Sequence, residues 1–288
     1  MVKISGFADE ISDDLDEQLR VLTDLGMDHI CLRGVNGRSF SEFSLTDVRD
    51  VVIPKLTLYG VKVSSIGSPL GKIPVDDETG FQHQLKMLKN LCEFGKILNC
   101  RFIRIFSFNI PEGHDPDLYA DSVIAKIKAF EAIAATHDMV LLHENEKDIF
   151  GDTAARCKLL LKAVNTPHFR GIFDFANFVQ VGQDPTTAYD LLHDYVDYIH
   201  IKDARFDAPY NVVCGEGDGE IPTLLARFLA KGYDGFLTLE PHLAMFGMLA
   251  GLEQNEVDKI VHDKDLTGAE GYALQYKALT EILRNIGA

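Results

Sequence analysis

Short apolar runs alternate with longer amphipathic stretches along the whole chain, and this alternation constrains the fold more than any other feature of the sequence. Eight such runs are rich in β-branched and aromatic residues, and strands that alternate with helices predict a parallel sheet covered by helices. The predicted strands are Lys3–Ala8, His29–Arg33, Lys62–Ile66, Phe102–Phe106, Met139–Glu144, Gly171–Asp174, Tyr198–Lys202 and Phe236–Glu240. Eight strand–helix units in 288 residues average 36 residues each, a size typical of a (β/α)₈ barrel.

The sequence shows no internal domain boundary, since it contains no Pro/Gly/Ser-rich linker and no low-complexity block. We therefore predict an α/β fold in which residues 1–288 form one (β/α)₈ TIM barrel domain. The segment 243–288 is predicted to add a loop near the site and a C-terminal helical extension, Tyr272–Asn285. The main alternative is a doubly wound open sheet, but no GxGxxG turn follows the first strand. The glycines of Gly215–Gly219 follow the seventh strand and are interpreted as a loop.

The composition is that of an acidic globular protein. The chain has 44 acidic side chains against 28 Lys plus Arg, a formal charge of −16, and 46% hydrophobic residues. Clustered cations bind nucleic acids and anionic membranes, so we expect neither partner, and a small-molecule substrate is the expected ligand. The five widely spaced cysteines, with no CxxC pair and no recognisable signal peptide, predict reduced thiols in a cytoplasmic protein. A homo-oligomer interface in the C-terminal segment is left open.

Polar residues interrupt the carboxyl ends of four consecutive predicted strands. They are Glu144 in VLLHENE, Asp174 in GIFDFAN, His200 in YIHIKD and Glu240 in LTLEPH. The intervals are 30, 26 and 40 residues, about one βα unit each, so these side chains are expected at equivalent heights on strands five to eight. The carboxyl ends of barrel strands converge at one face, where (β/α)₈ enzymes hold their active sites.

Three carboxylates and one imidazole at one place predict a divalent metal site. Like charges in a partly buried site disfavour one another's ionisation, and a cation removes that conflict. A mixed set of oxygen and nitrogen donors without thiolates suits Mn²⁺, our preferred ion, with Co²⁺, Mg²⁺ or Zn²⁺ as alternatives. For any one of the four residues, a helix cap or a salt bridge is the alternative interpretation, but four strand ends in succession favour the metal.

The alternation of side chains along the strands extends the candidate site. Glu146 shares the parity of Glu144 and is its main rival, although it lies farther along, in the predicted loop. Lys202 shares a face with His200 and is expected either to donate to a substrate oxygen or to pair with a neighbouring aspartate. Arg104, on the fourth strand, is interpreted first as a structural ion pair rather than as a substrate contact.

Five segments of the chain resemble the xylose isomerase-like (β/α)₈ superfamily, which contains sugar isomerases and epimerases, inosose dehydratases and apurinic-site endonucleases. The segments are LLHENE, IFDFAN, YIHIKDA, GEGDGEIP and GYDGFLTLEPH, and they occur in the order and spacing of the family. The resemblance implies that Glu144, Asp174, His200 and Glu240 are the metal ligands, the same four residues. It also implies that Glu144 and Glu240 act as the acid–base pair.

Two positions depart from the pattern of that superfamily. Its members often carry histidine where this chain has Glu146 and Asn177, and we assign both residues to substrate binding, Asn177 as the holder of a hydroxyl group. Lys202 and Glu216, the latter in the loop after strand seven, complete the predicted substrate-binding set. The endonuclease branch uses additional histidines to hold three metal ions. Their lack at these positions, together with the charge of −16, argues against DNA repair.

These residues predict a divalent-metal-dependent sugar or sugar-phosphate isomerase or epimerase. Removal of a proton beside a carbonyl leaves an enediolate whose charge a Lewis acid stabilises, and two glutamates on opposite sides of the sugar would remove and return the proton. Two alternatives are kept. One is an inosose-type dehydratase, a lyase in which the enolate loses a hydroxyl group. The other is a non-catalytic sugar-binding barrel, against which the two glutamates argue, because binding alone needs no proton carrier.

Overall fold

The computed structural model describes residues 2–208, 210–244 and 265–288. Eight parallel strands form one sheet, in the order β1-β8-β7-β6-β5-β4-β3-β2. The strands are β1 (Lys3–Gly6), β2 (His29–Leu32), β3 (Lys62–Gly67), β4 (Phe102–Ile105), β5 (Val140–His143), β6 (Phe169–Asp174), β7 (Val196–Ile201) and β8 (Phe236–Leu239). Each strand lies beside the next one in sequence and the last lies beside the first, so the predicted (β/α)₈ barrel is confirmed.

The barrel closes differently on the two sides of β1. On one side β1 pairs with β8 over four residues, from Lys3 opposite Phe236 to Gly6 opposite Leu239. On the other side, between β1 and β2, there is one isolated parallel bridge, from Phe7 to Cys31. The seam between β1 and β2 is therefore paired over a shorter stretch than any other in the barrel.

Helices cover the outside of the sheet between successive strands, as predicted. Those of six residues or more are α1 (Leu15–Asp24), α2 (Ile53–Tyr59), α3 (Glu78–Leu98), α4 (Ala120–Thr136), α5 (Ala154–Val164), α6 (Phe175–Gln180), α7 (Pro185–Leu192), α8 (Ile221–Ala230) and α9 (Gly268–Asn285). Their ends follow from local sequence. Asp14 caps α1 by accepting a hydrogen bond from the Glu17 amide, and α3 ends at Asn99, which adopts a left-handed conformation with φ of 53°.

The strand ends differ from the prediction by at most two residues. At the mouth of the barrel, Glu144, Lys202 and Glu240 were predicted as the last residues of β5, β7 and β8, but each lies just beyond its strand. The final helix begins at Gly268 rather than Tyr272, because Thr267 and Glu270 form a capping box that starts it one turn earlier. The loop predicted after β8 falls, from residue 245 to residue 264, outside the described residues.

The two faces of the strands pack against different cores. Val140, Leu142, Ile172 and Tyr198 form a small cluster inside the barrel, whereas Leu141 belongs to the large core beneath the helices. Successive residues of β5 therefore face the two cores in turn. All five cysteines are buried and none forms a disulfide. No helix in the described part of the chain is long and apolar enough to cross a membrane.

A layer of hydroxyl groups fills the barrel above that inner apolar cluster. The hydroxyl of Tyr198 receives hydrogen bonds from Ser65 Oγ at 2.8 Å and Thr238 Oγ1 at 2.6 Å, and Ser64 Oγ lies 2.9 Å away. Ser64 Oγ is in turn 2.5 Å from Ser5 Oγ. Because buried hydroxyl groups are costly unless paired, this network fixes the rotamers of side chains from four strands beneath the barrel mouth.

Gly71, in the loop after β3, offers a test of the backbone at the mouth. Its φ is +84°, and a Cβ there would lie 2.1 Å from the carbonyl oxygen of Phe106, whereas Gly113, with φ of +76°, has open space around it. We expect Gly113→Ala to lower the free energy of unfolding by about 1–2 kcal/mol, for its left-handed conformation alone. Gly71→Ala should lower it by about 2–5 kcal/mol, since an overlap with backbone is added. Chemical denaturation measures both, and equal losses would contradict the close contact at Gly71.

Candidate metal centre

The four strand-end residues predicted from the sequence meet at the mouth of the barrel. Glu144 follows β5, Asp174 ends β6, His200 lies in β7 and Glu240 follows β8, and all four are buried. Each offers one carboxylate oxygen or imidazole nitrogen such that these atoms lie within 4.8 Å of one another. The register of the parallel strands places Asp174 beside His200, and Glu144 and Glu240 directly follow the ends of the two flanking strands.

His200 lies at the centre of this group, which we call the carboxylate–imidazole cluster. Its Nδ1 is 2.9 Å from Glu144 Oε1, 3.3 Å from Glu240 Oε2 and 3.8 Å from Asp174 Oδ2. The ring stands edge-on to Phe7, with centroids 5.2 Å apart. The imidazole thus packs against an aromatic ring while its Nδ1 lies near three carboxylates.

Two cations enter the cluster from neighbouring strands. Lys202 Nζ is 3.1 Å from Asp174 Oδ2 and 3.5 Å from Glu240 Oε2, so of its two predicted roles the structure shows the ion pair. Arg104 Nη1 is 3.1 Å from Glu144 Oε2 and 3.8 Å from Glu240 Oε1. The ion pair expected for Arg104 is therefore present, and it lies at the site itself. Its Nε is buried and has no hydrogen-bond partner among the described residues.

A third cation, Arg33, was missed by sequence reasoning. Arg33 follows β2, and its guanidinium group binds three carboxylates: Asp9 at 2.8 Å, Glu10 at 3.2 Å and Glu240 at 2.8 Å. Asp9 and Glu10 follow β1, and Glu10 also accepts a hydrogen bond from the backbone of His242. The feature that could have indicated this role is an arginine placed directly after a wholly buried strand. We call Asp9, Glu10 and Arg33 the arginine clamp.

His242, Glu10 and Glu240 form a second group whose possible ligand atoms are within 4.8 Å of one another. The Arg33 guanidinium already binds the carboxylates of Glu10 and Glu240. We therefore interpret this group as carboxylates already paired by Arg33 of the arginine clamp rather than as a second metal site. His242 itself adopts a left-handed backbone, with φ of 48°.

The charges of the mouth fit one divalent ion. Five buried carboxylates meet there, from Asp9, Glu10, Glu144, Asp174 and Glu240, and three buried permanent cations accompany them, from Arg33, Arg104 and Lys202. Two negative charges therefore remain when all the carboxyl groups are ionised. Asp174 Oδ2 is buried, and within the described residues its contact with a cation is the ion pair with Lys202 at 3.1 Å. Three carboxylates and one imidazole also suit Mn²⁺, Co²⁺, Mg²⁺ or Zn²⁺ as a donor set.

Burial and charge together shift the pKa values of the cluster. Burial raises the pKa of Glu144, but the positive charges of His200 and Arg104 outweigh it and bring this pKa to about 2. Burial lowers the pKa of His200, yet the Glu144 carboxylate outweighs it and brings this pKa to about 9. For Asp174, burial outweighs the attraction of Lys202 and raises the pKa to about 7. Without a metal ion, protons on His200 and in part on Asp174 therefore reduce the excess negative charge.

The other residues assigned to substrate binding occupy three different environments. Asn177 is buried; its amide donates to the Asn145 carbonyl at 2.7 Å and lies 3.5 Å from Glu144 Oε1. Glu146 forms an ion pair with Lys72 at 2.8 Å and is not one of the four clustered residues. Glu216 is exposed, and its role toward a substrate stays a prediction.

The glycine-rich segment after β7 is a loop, as interpreted, and it is organised by one carboxylate. Asp203 accepts hydrogen bonds from the amides of Ala204, Gly215, Gly217 and Gly219, at 2.8–3.0 Å. A Cβ at Gly217 would lie 2.3 Å from Asp203 Oδ1. The loop therefore needs glycine so that its backbone can approach this carboxylate, a reason that the sequence pattern alone does not reveal.

Comparison with known proteins places the chain in a family. The family described as xylose isomerase-like TIM barrel matches residues 15–257, and the chain belongs to it. Among curated proteins, the chain is 21% identical to the inosose dehydratase of Geobacillus kaustophilus over 247 residues, 72% of this chain and 78% of the relative.

Two solved structures illustrate the likeness in fold. The IOLI protein with a bound zinc atom superposes with a TM-score of 0.76 at 13% identity, over 100% of both chains. The 3-keto-D-glucoside 4-epimerase YcjR of E. coli superposes with a TM-score of 0.69 at 16% identity, over 99% of this chain and 100% of the other. These identities are low, so the likeness shows a shared barrel and leaves the activity open.

Asp174→Asn tests the metal centre with little change in shape. Asp174 Oδ1 caps α6 by accepting a hydrogen bond from the backbone amide of Asn177 at 2.8 Å. Asparagine retains that oxygen while removing the negative charge. We expect the affinity for Mn²⁺ to fall at least about tenfold, because one anionic donor is lost. Metal analysis after equilibrium dialysis measures this, and the rise in melting temperature on adding Mn²⁺ should be smaller in the variant than in the parent protein.

The matched control is Asp184→Asn, which also changes a helix-capping aspartate, at the exposed start of α7. We expect it to leave the affinity for Mn²⁺ within about twofold of the parent protein, since Asp184 is not a member of the cluster. Equal metal binding by the parent protein and both variants would show that Asp174 does not hold a metal ion.

Proposed function

We propose that the chain is a divalent-metal-dependent isomerase or epimerase that acts on a sugar or sugar phosphate by proton transfer next to a carbonyl group. The observation that carries the proposal is the placement of two glutamates around one imidazole. Glu144 Oε1 and Glu240 Oε2 lie 2.9 and 3.3 Å from His200 Nδ1. They come from β5 and β8, with β6 and β7 between them, so the two carboxylates approach the mouth from different sides.

We propose Glu144, Asp174, His200 and Glu240 as the residues that hold the ion, with Mn²⁺ as the preferred metal. When bound, a divalent ion polarises a carbonyl group and stabilises the negative charge that develops on its oxygen. The identity of the ion has a direct check, which is metal analysis of the purified protein. Reduced thiols, all of them buried, support a cytoplasmic location as a further proposal.

In this proposal one glutamate removes the proton beside the carbonyl and the other returns a proton to the opposite face. Arg104, 3.1 Å from Glu144, and Arg33, 2.8 Å from Glu240, hold the two carboxylates in place. Lys202, at 3.5 Å from Glu240 Oε2, supplies a positive charge toward which a substrate oxygen can turn. Asn177 keeps the loop after β5 in position through the Asn145 carbonyl and leaves its own carbonyl oxygen to accept from a hydroxyl group.

A dehydratase is the second candidate, and the likeness to an inosose dehydratase favours it. The first half of the reaction is the same, because a proton must leave the carbon next to the carbonyl. A hydroxyl group then leaves from the adjacent carbon, and the product is a conjugated enone. A screen of ketoses, inososes and sugar phosphates separates the two: ultraviolet absorbance that grows with time indicates the dehydratase, and a new ketose or aldose without such absorbance indicates the isomerase or epimerase.

Deuterium uptake tests proton transfer by the two glutamates. For an epimerase with two bases, Glu240→Gln should reduce epimer formation about 10²–10⁴-fold, the usual contribution of one acid–base group. The remaining glutamate should still exchange the substrate proton for solvent deuterium on its own face. Nuclear magnetic resonance in D₂O follows both reactions, and Glu144→Gln should show the complementary loss.

Glu93→Gln serves as the control, since Glu93 is a partly exposed residue that pairs with Lys96 on α3. Metal analysis of each variant identifies any loss that comes from an empty site. Epimerisation at the parent rate by a metal-loaded Glu240→Gln variant would reject the two-base proposal.

A further inference from the structure

A cavity of about 1030 Å³ opens at the end of the barrel opposite the carboxylate–imidazole cluster, where the strands begin. No residue of that cluster or of the arginine clamp lines it. Five of its lining residues stand at the starts of five adjacent strands, β8, β1, β2, β3 and β4: Phe236, Lys3, His29, Lys62 and Phe102. The cavity is therefore a separate site at the bottom of the barrel.

Two lysines point into the barrel at this end. Lys3 lies two residues before Ser5 in β1, and Lys62 two residues before Ser64 in β3. Ser5 and Ser64 meet inside the barrel, with their Oγ atoms 2.5 Å apart. Alternate residues of a strand share a face, which places Lys3 toward the interior. The register of β3 shifts at Ser64, but Val63, before the shift, packs in the outer core, so Lys62 faces the barrel interior too. Lys3 Nζ lies 5.3 Å from the centre of the Phe236 ring, which agrees with this direction.

The two ammonium groups have no anionic partner within the described residues. Every ion pair there that involves a lining residue of this cavity is formed by other groups: Asp28 with His29 at 2.6 Å, and Arg101 with Asp138 at 3.0 Å. Since β1 and β3 are separated by one strand, their backbones are roughly 10 Å apart, a span that one carboxylate or phosphate group can bridge through two long side chains. The chain carries a net charge of −16, so these two lysines without an anionic partner form a small positively charged patch on an acidic protein.

Aromatic rings line the cavity beside the lysines. The rings of Phe102 and Phe236 have centroids 6.5 Å apart, and His29 lies edge-on to Phe236 at 5.1 Å. An adjoining cavity of about 750 Å³ shares Lys3 and both phenylalanines but contains Asp194, Asp197 and Asp234. The adjoining cavity sets these three aspartates against Lys3 and Lys231, whereas the larger cavity sets Lys3, Lys62 and Arg101 against Asp28 alone. An anionic group is therefore favoured on the side of Lys62.

We propose that this cavity is a second ligand site, which takes a small organic anion with a flat apolar body. Its carboxylate or phosphate group lies between Lys3 and Lys62, and its body packs on Phe236 and Phe102. The proposal is independent of the metal centre, because the two sites share no residue. An inorganic anion would contact the two lysines but not the aromatic rings. A neutral aromatic molecule would contact the rings but form no ion pair with the lysines.

Calorimetric titration of the metal-loaded full chain tests the site, with phenyl phosphate as the probe. We expect one saturable site for phenyl phosphate, and at least about tenfold weaker binding of inorganic phosphate and of benzyl alcohol. The double variant Lys3→Gln/Lys62→Gln should bind phenyl phosphate at least about tenfold more weakly than the parent. Both lysines are exposed residues, and a melting curve checks that the variant is folded; Lys62→Gln alone provides a milder second variant.

Lys86→Gln/Lys89→Gln is the matched control, which removes the same charge from two exposed positions of α3. It should keep the parent affinity within about twofold. Two results overturn the proposal: an absence of saturable phenyl phosphate binding, and an affinity that is unchanged in the Lys3/Lys62 variants. The second result would place the anion elsewhere, at the metal centre for instance.

Discussion

The structure depends on the compensation of five buried carboxylates at one end of a barrel. Each of them would be costly to ionise alone, because burial disfavours the charged form. Arg33, Arg104 and Lys202 compensate most of that charge through contacts of 2.8–3.5 Å, and the two negative charges that remain are balanced by the two positive charges of one divalent ion. Stability and chemistry therefore draw on the same set of contacts.

The sequence predicted the barrel and the four central residues because both leave periodic signals. Strands recur about every 36 residues, and Glu144, Asp174, His200 and Glu240 interrupt apolar runs at equivalent points. The arginine clamp leaves no such signal. Asp9 and Glu10 lie just before α1, where acids are also expected as helix-capping residues, and Arg33 follows β2 by one residue. Only the closure of the barrel, which brings β1 beside β2 and β8, shows that these residues face Glu240.

The contact between Asp203 and the glycine-rich loop also leaves no periodic signal, so the sequence predicts a loop there but not its contact with Asp203. Their contact spans 12 to 16 residues and joins one side chain to three backbone amides, so neither hydrophobic period nor residue spacing reports it. Roles toward a substrate are still harder to predict. Asn177, for example, contacts Asn145 and Glu144, so it holds the local backbone as well as facing the cluster.

The arginine clamp has a consequence for how this barrel is held shut. The seam between β1 and β2 contains a single backbone bridge, and Arg33, at the end of β2, binds Asp9 and Glu10, which follow β1. Ion pairs between side chains thus join the ends of β1 and β2 where the backbone pairing is shortest, and Arg33 also binds Glu240. Closure of the barrel and the geometry of the carboxylate–imidazole cluster therefore depend on shared contacts. A substitution that alters this side of the mouth is expected to weaken the closure between β1 and β2 as well.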